Sequence, residues 1–375
     1  MSKGTVIYYG GFVLPDKNAA ANRVVSNGKL FASLGYDTVF IGASASEDSF
    51  VGLRKVGDRD GMFEFAHPQS TSQWLKHMTS VEHIQTVMKN HSDVKKIILY
   101  NVPMLTLLKA KAVFSKKNID VCYDCTEWTK DTDGSFAKRV FKSFDEILIR
   151  NFAHKVADSM IVISRMMEKK YRKAKNLLLL PPLVDINDAV WHQDATHTDG
   201  IFEFCFAGIP DGNKESLDKV AEAFAMTDNN SFRLKIIGIT EEDYRRIYPD
   251  CHIGEDAMKR ISFLGRVSHA EVIRHILGCD CYIFIRRSDR RNNAGFPTKF
   301  AESYTCAVPI ITTDVSDVGE YIKNSGRGIL LNDLSADKIA RAMLIQSEKK
   351  CIAASPDTAF HYETYISSAE EWMKQ

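Results

Sequence analysis

Nowhere in the 375 residues do apolar side chains run unbroken for the roughly 18 positions that a membrane-crossing helix needs. An embedded protein is therefore excluded at the level of sequence. The opening MSKGTVIYYG has one Lys before a short strand-like run, without the long apolar region or cleavage site of a signal peptide. The expected compartment is the cytoplasm, with peripheral attachment to the inner face of the membrane left open. Repeats of solenoid length and low-complexity tracts are also missing. So is the G-x-G-x-x-G fingerprint: Gly10-Gly11 after the first strand is a glycine pair only, which leaves an NAD-type reading without its signature. The eight cysteines include a C-x-x-C (Cys122, Cys125) and a C-x-C (Cys279, Cys281), but no set of four ligands at zinc spacing. Several lie in apolar, strand-like runs, where a thiol acts as a small hydrophobe, so they read as structural and no metal is expected.

What remains is an ordinary globular composition, 45% hydrophobic and 26% charged, at a length suited to two domains. The net charge of +1 hides an asymmetry. Residues 1–190 carry 27 Lys and Arg against 20 Asp and Glu, a balance of +7, and the remainder carries −6. A basic first half suits an anionic partner such as a lipid phosphate or a membrane surface, or is a set of solvated lysines; no nucleic acid is expected.

Strand-then-helix patterns recur along the chain. Apolar runs at 5–9, 38–41, 96–100, 121–123 and 159–163 alternate with helical periodicity, as at 20–34, which Gly35 stops. Such alternation predicts a parallel, doubly wound sheet. Pro181-Pro182 and the polar stretch 183–200 read as a linker. A second set then begins. It has strands at 202–206, 233–237, 261–263, 281–285 and 309–312, and helices at 216–224, 270–278, 298–305 and about 336–347. The fold class is thus α/β, two Rossmann-like units: 1–186 and 200–356, with a helical tail at about 357–375 packing back on the first.

In such units ligands bind beyond the carboxyl ends of strands, where helix N-termini favour anions. The segment RRSDRRNNAGFPTKFAE, 286–302, holds that place in the second set. It follows a strand, makes a Gly295-Phe296-Pro297 turn and opens a helix carrying Lys299 and Glu302. A first-turn lysine points its ammonium toward the free amides, as a diphosphate clamp would. Glu302, three residues on, shares that helix face and has acceptors for two ribose hydroxyls.

The run AGFPTKFAESYTCAVPIITTDV, 294–315, resembles the nucleotide-sugar motif of glycosyltransferase family 4. FAGIPDGNK (206–214), ISFLGRV (261–267) and GCDCYIF (278–284) resemble its other C-terminal landmarks in order. YYGGF with NAAANRV, DSMIVIS (158–164) and LLPPLVD (179–185) agree in the first half. The resemblance implies the GT-B fold, with its two domains facing across a cleft, and retaining transfer of a hexose-type sugar. The donor it implies is a UDP-, GDP- or ADP-linked sugar, with no other cofactor. It makes Lys214 the phosphate lysine, Gly208 the point of close backbone approach, and Glu302 the ribose ligand. Arg266 and Val267 fall where backbone meets the nucleobase. The donor-binding stretch then runs through Asn293, Ala294, Gly295, Phe296, Pro297, Thr298 and Lys299.

Two departures stand out: Ala294 holds the place of the family's first glutamate, and Ile209 that of an arginine. Arg286, Arg287, Arg290 and Arg291 are near enough to supply a cation, and Asn293 to hydrogen-bond the sugar; solvated arginines are the plain alternative. In the first half, VCYDCTEW (121–128) offers Asp124 and Glu127 for the acceptor hydroxyl or for oxocarbenium character, with a helix cap or surface acid as the alternative. Gly10, Gly11 and Arg23 either contact donor or acceptor, or form a tight turn beside a surface arginine. Asp131-Thr132-Asp133 matches the D-x-D metal motif of the other glycosyltransferase fold but sits in a polar loop, so metal-free transfer is expected. Helical stretches 137–149 and 165–175 mix basic and apolar residues, either as a membrane face or as core-facing helices with a wet basic side. The expected acceptor is a glycan or lipid-linked oligosaccharide of a bacterial surface polysaccharide. A nucleotide-sugar 2-epimerase and a non-catalytic partner-binding subunit are the rivals.

Overall fold

The computed structural model describes residues 2–46, 50–128, 136–194, 200–210, 212, 214–349 and 355–375. The Asp131-Thr132-Asp133 triplet and Cys351 lie outside the described residues. The chain divides into two compact units, 1–184 with 362–375, and 185–361.

The first unit runs β1 (Thr5–Gly10), α1 (Ala19–Ser33), β2 (Asp37–Ala43), β3 (Arg54–Lys55), β4 (Met62–Phe65), α2 (Thr71–Thr79) and α3 (Glu82–Met88). It continues through β5 (Val94–Tyr100), α4 (Met104–Phe114), β6 (Asp120–Cys125), α5 (Phe136–Val156), β7 (Ser159–Val162), α6 (Arg165–Tyr171) and β8 (Leu177–Leu179). These strands form one sheet in the order β3-β4-β2-β1-β5-β6-β7-β8, parallel except for the β3–β4 pair. Every residue of β1 and of β7 is buried. That explains their unbroken apolar runs, since a sheet covered on both faces needs no alternation.

The second unit contains β9 (Phe202–Ala207), α7 (Leu217–Met226), β10 (Phe232–Ile237), α8 (Glu241–Ile247), α9 (Glu255–Met258), β11 (Ile261–Phe263) and α10 (His269–Leu277). β12 (Cys281–Phe284), α11 (Arg290–Ala294), α12 (Thr298–Thr305), β13 (Ile310–Thr313), α13 (Val318–Ser325), β14 (Gly328–Leu331) and α14 (Ala336–Ser347) follow. Its sheet is parallel in the order β11-β10-β9-β12-β13-β14. Crossing from β11 back to β12 past β9 is the reversal at which a doubly wound sheet opens a crevice.

The chain then returns to the first unit with α15 (Ile366–Lys374). Trp372 stacks on Phe31 of α1 at 6.2 Å, lies 4.0 Å under the Lys96 ammonium, and accepts a 2.8 Å hydrogen bond from Asn176 at its carbonyl. The return begins at Tyr362, later than the 357 of the sequence reading. Phe360 is fully buried among Phe296, Phe300, Tyr304 and Tyr321 of the second unit, which keeps residues up to His361 there.

The stretch 183–200 is less of a linker than its polarity suggests. Leu183 and Val184 are buried with the first unit. Trp191 is buried in the second, with its ring edge toward His269. Residues 286–297 are also more ordered than a turn, because Asp289 caps α11 by accepting from the Asn292 amide. The C-x-x-C thiols are sunk in β6, and burial pushes the Cys122 thiol well up and that of Cys125 to about 12.

Candidate functional site

Helix α12 follows β12, at the carboxyl edge of the second sheet. Pro297 sets its start, and the Phe300 and Ala301 amides close its first turn on the Pro297 carbonyl at 3.1 and 3.3 Å. Phe300 and Tyr304 hold it to the aromatic cluster around Phe360. Glu302 is only 3% exposed. One of its oxygens lies 2.6 Å from Lys299 Nζ and the other 3.3 Å from His269 Nε2, at the start of α10. Burial alone would raise its pKa. The Lys299 charge, followed by His269, outweighs burial and brings it down from 4.5 to about 2. Glu302 is therefore ionised at neutral pH and an acceptor only, as two adjacent hydroxyl donors would require.

Three neighbouring strand ends meet through bare backbone. Gly208, after β9, donates its N–H to the Ile237 carbonyl at 2.9 Å, and Gly238 donates to the Gly265 carbonyl at 2.7 Å. Gly238 has φ +116°, and a Cβ there would lie 2.1 Å from the Gly208 oxygen. At Gly208 a Cβ would meet only the Phe206 ring, at 3.4 Å, so the tight backbone packing between these strand ends falls on Gly238. Arg266, exposed, and Val267, half-buried, follow Gly265.

The loop after β9 is stitched to the loop after β12. Arg287 donates its N–H to the Lys214 carbonyl at 3.3 Å, Ser216 donates to the Ile285 carbonyl at 3.0 Å, and Arg286 pairs with Glu215. Lys214 and the exposed Arg287 are brought side by side. The Nε atoms of Arg286 and Arg291 are buried and make no hydrogen bond among the described residues.

Not every residue of the motif faces a ligand. Phe296 is buried, with its ring 5.6 Å from Phe360, so its side chain builds the cluster under α12 instead of a donor pocket. Asn293 spends its amide on structure, donating to Ser288 Oγ at 3.0 Å and accepting from the Ser316 N–H at 2.8 Å. Gly295 accepts from Ser316 Oγ at 2.5 Å. Ala294 is fully buried in α11, Pro297 is buried, and Thr298 is half-buried at the first position of α12.

In the first unit the two acids part company. Asp124 is completely buried, 3.1 Å from the guanidinium of Arg23, and also takes the Tyr8 hydroxyl. Arg23 donates further to the Leu180 and Pro181 carbonyls at 2.9 and 3.0 Å. Asp124 is a core ion-pair member, not a reacting group, and Arg23 is neither on the surface nor free to meet phosphate. Glu127 is exposed just beyond β6. Gly10 and Gly11 border a cavity of about 220 Å³ at the ends of β1 and β5. Tyr9, Phe65, Trp74, His77, Tyr100 and Phe141 make its walls aromatic. Gly10 has no room for a side chain, since a Cβ would lie 2.6 Å from the Tyr100 oxygen. Burial, with His83 and His67 nearby, lowers the His77 pKa to about 4, so the ring is neutral at pH 7.

Residues 211–352 match the family described as Glycosyl transferases group 1. This part of the chain is similar to a group 1 glycosyl transferase domain. It contains Lys214, Arg266, Lys299 and Glu302. An uncharacterized glycosyltransferase of Methanocaldococcus jannaschii is 20% identical over 286 residues, 68% of this chain and 77% of its own. Among solved structures, the α,α-trehalose-phosphate synthase (UDP-forming) of Burkholderia xenovorans in complex with glucose-6-phosphate aligns at TM-score 0.67 and 8% identity. The alignment covers 99% of this chain and 100% of that one. Anabaena HepE in complex with UDP and glucose aligns at 0.61 and 11%, covering 99% of both. The fold shared with these neighbours is the α/β GT-B type.

Within residues 211–352, the sequence reading missed His269 and Gly238. His269 had a signal, because Ser268 and Glu271 form a capping box that fixes where α10 begins. Gly238 had a weaker one, a glycine directly after an apolar strand.

Proposed function

We propose that the protein is a retaining glycosyltransferase that moves a sugar from a nucleoside diphosphate to an acceptor hydroxyl. One observation carries this reading: a buried, ionised Glu302 held between Lys299 and His269 inside a stretch similar to a group 1 glycosyl transferase domain. Glu302 accepts the two ribose hydroxyls. Lys214 and Lys299, with Arg287, take up charge on the diphosphate as the bond from the anomeric carbon to its oxygen breaks. That work requires no divalent metal. The acceptor oxygen bonds the anomeric carbon on the face from which the diphosphate leaves and passes its proton to a base, the role we assign to the Glu127 carboxylate. UDP-glucose is the first donor to test, since one neighbour is described as UDP-forming and another holds UDP and glucose.

The aromatic cavity beside Gly10 and Gly11 suits a sugar ring of the acceptor, whose apolar face stacks on indole and phenol rings. A lipid-linked oligosaccharide of a bacterial surface polysaccharide is the acceptor class we assign, because the first half of the chain is basic. The test is calorimetry of the full chain with UDP-, GDP- and ADP-sugars, followed by product analysis with and without acceptor. Binding of one family of donors and its loss in Glu302→Ala supports the assignment; binding of none overturns it.

Burial of Ala294 where the family has a glutamate favours a second reading, a subunit that keeps nucleotide binding without turnover. Donor binding with neither transfer nor hydrolysis across acceptors would select it.

A further inference from the structure

Helix α5 presents an apolar stripe to solvent. Val140, Phe144 and Ile147 are 53, 58 and 45% exposed and fall within about 60° of one another around the helix axis. Ala153, on the opposite side, is fully buried. Leu105 and Leu108 widen the apolar surface from α4, which packs on α5. About two turns beyond Ile147 the same line runs to His154 and Lys155, which border an open basin of about 460 Å³. Lys111, Lys155, Lys173 and Lys175 line this basin with a single acid, Asp158, which Lys111 already pairs. Lys170 adds a further ammonium beside it, donating to Asn151 at 3.2 Å. Burial, together with Lys155, Lys170 and Lys173, lowers the His154 pKa. The exposed Phe152 ring lies 5.3 Å beneath the Lys155 ammonium. The basin lies by the amino ends of β6 and β7, opposite the strand ends that carry Glu127 and the aromatic cavity.

We infer that this face of the first unit docks on an anionic phospholipid bilayer, with Phe144 and Ile147 entering the headgroup boundary and Lys155 and Lys173 meeting lipid phosphate. Charge complementarity selects that occupant. An apolar protein partner would not call for uncompensated lysines at the end of the stripe, whereas a leaflet of anionic headgroups meets both parts at once. The inference extends the proposed lipid-linked acceptor. Its test uses binding alone, with no donor and no turnover, so either reading can fail without the other.

The full chain is mixed with vesicles of phosphatidylcholine, or of phosphatidylcholine and phosphatidylglycerol at about 2:1, and flotation is measured. Wild type is expected to float at least about ten-fold more with the anionic vesicles. Lys155→Ala with Lys173→Ala lowers that partitioning by about 25-fold, from roughly five-fold per lysine. Phe144→Ser with Ile147→Ser lowers it at least about ten-fold. All four side chains are exposed, and unchanged circular dichroism confirms that the variants fold. Equal flotation with both vesicle types, or loss in only one of the two double variants, overturns the inference. A rise in melting temperature with inorganic phosphate, without vesicle binding, also overturns it and makes the basin a site for a soluble phosphate.

Discussion

Lys299 and Glu302 form an ion pair of 2.6 Å across one turn of α12, the lysine partly in solvent and the glutamate almost wholly out of it. The pair is asymmetric by design of the helix: the same turn puts the acceptor inside and the cation at the mouth. Glu302→Gln keeps the shape but removes the charge. We expect donor affinity to fall about 10- to 100-fold, from loss of charged hydrogen bonds worth roughly 1.5–3 kcal/mol, read by titration calorimetry.

The same carboxyl sets a pH dependence of stability. Its folded pKa of about 2 lies below the ordinary 4.5. The stabilisation it gives is complete above about pH 5 and disappears as pH falls toward 2. Urea unfolding of wild type and Glu302→Gln should therefore differ most near neutrality and converge in acid. A gap that widens on acidification would contradict this account.

Asp124 and Glu127 should separate by experiment. Asp124→Asn leaves the Arg23 guanidinium buried without its counter-charge, and a loss of about 3–5 kcal/mol in unfolding free energy is expected. Adding Arg23→Met should recover part of it. Glu127→Gln should leave the unfolding midpoint in place and lower kcat.

Gly238→Ala places a methyl group against the Gly208 carbonyl at a backbone angle that suits glycine alone. A cost of about 2–4 kcal/mol is expected, with weaker donor binding as the strand ends spread. Gly208→Ala should cost clearly less. Thermal unfolding of the two variants in parallel decides.

Phe360 anchors α12 from underneath. Phe360→Ala opens a void in the cluster of Phe296, Phe300, Tyr304 and Tyr321, with an expected loss of about 3–5 kcal/mol and reduced donor affinity, although no atom of Phe360 belongs to the proposed donor site.

The strands and the long helices could be read from sequence because each rests on local periodicity: β11 and α12 lie where the pattern places them. Lys299 and Glu302 were legible for the same reason, being neighbours on one helical turn. Asp124 was not. Its role depends on an arginine 101 positions away, and a strand-end acid looks the same in sequence whether it faces a ligand or a guanidinium. Phe296 misled for a similar reason, since Phe360 comes to it from a remote stretch. The aromatic cavity stayed hidden because Trp74 and His77 lie on a helix far from the glycine pair they meet. The helix α11 is only five residues long, too short for a period to show.

The crossing points of the chain have a consequence for biogenesis. Tyr362 donates its N–H to the Val184 carbonyl at 3.0 Å, so the outgoing and returning segments are clasped side by side. Residues 185–361 are thereby an insertion within the other unit. On the ribosome the inserted unit can finish folding first, while the one begun earlier waits, with Phe31 uncovered, for Trp372 to emerge.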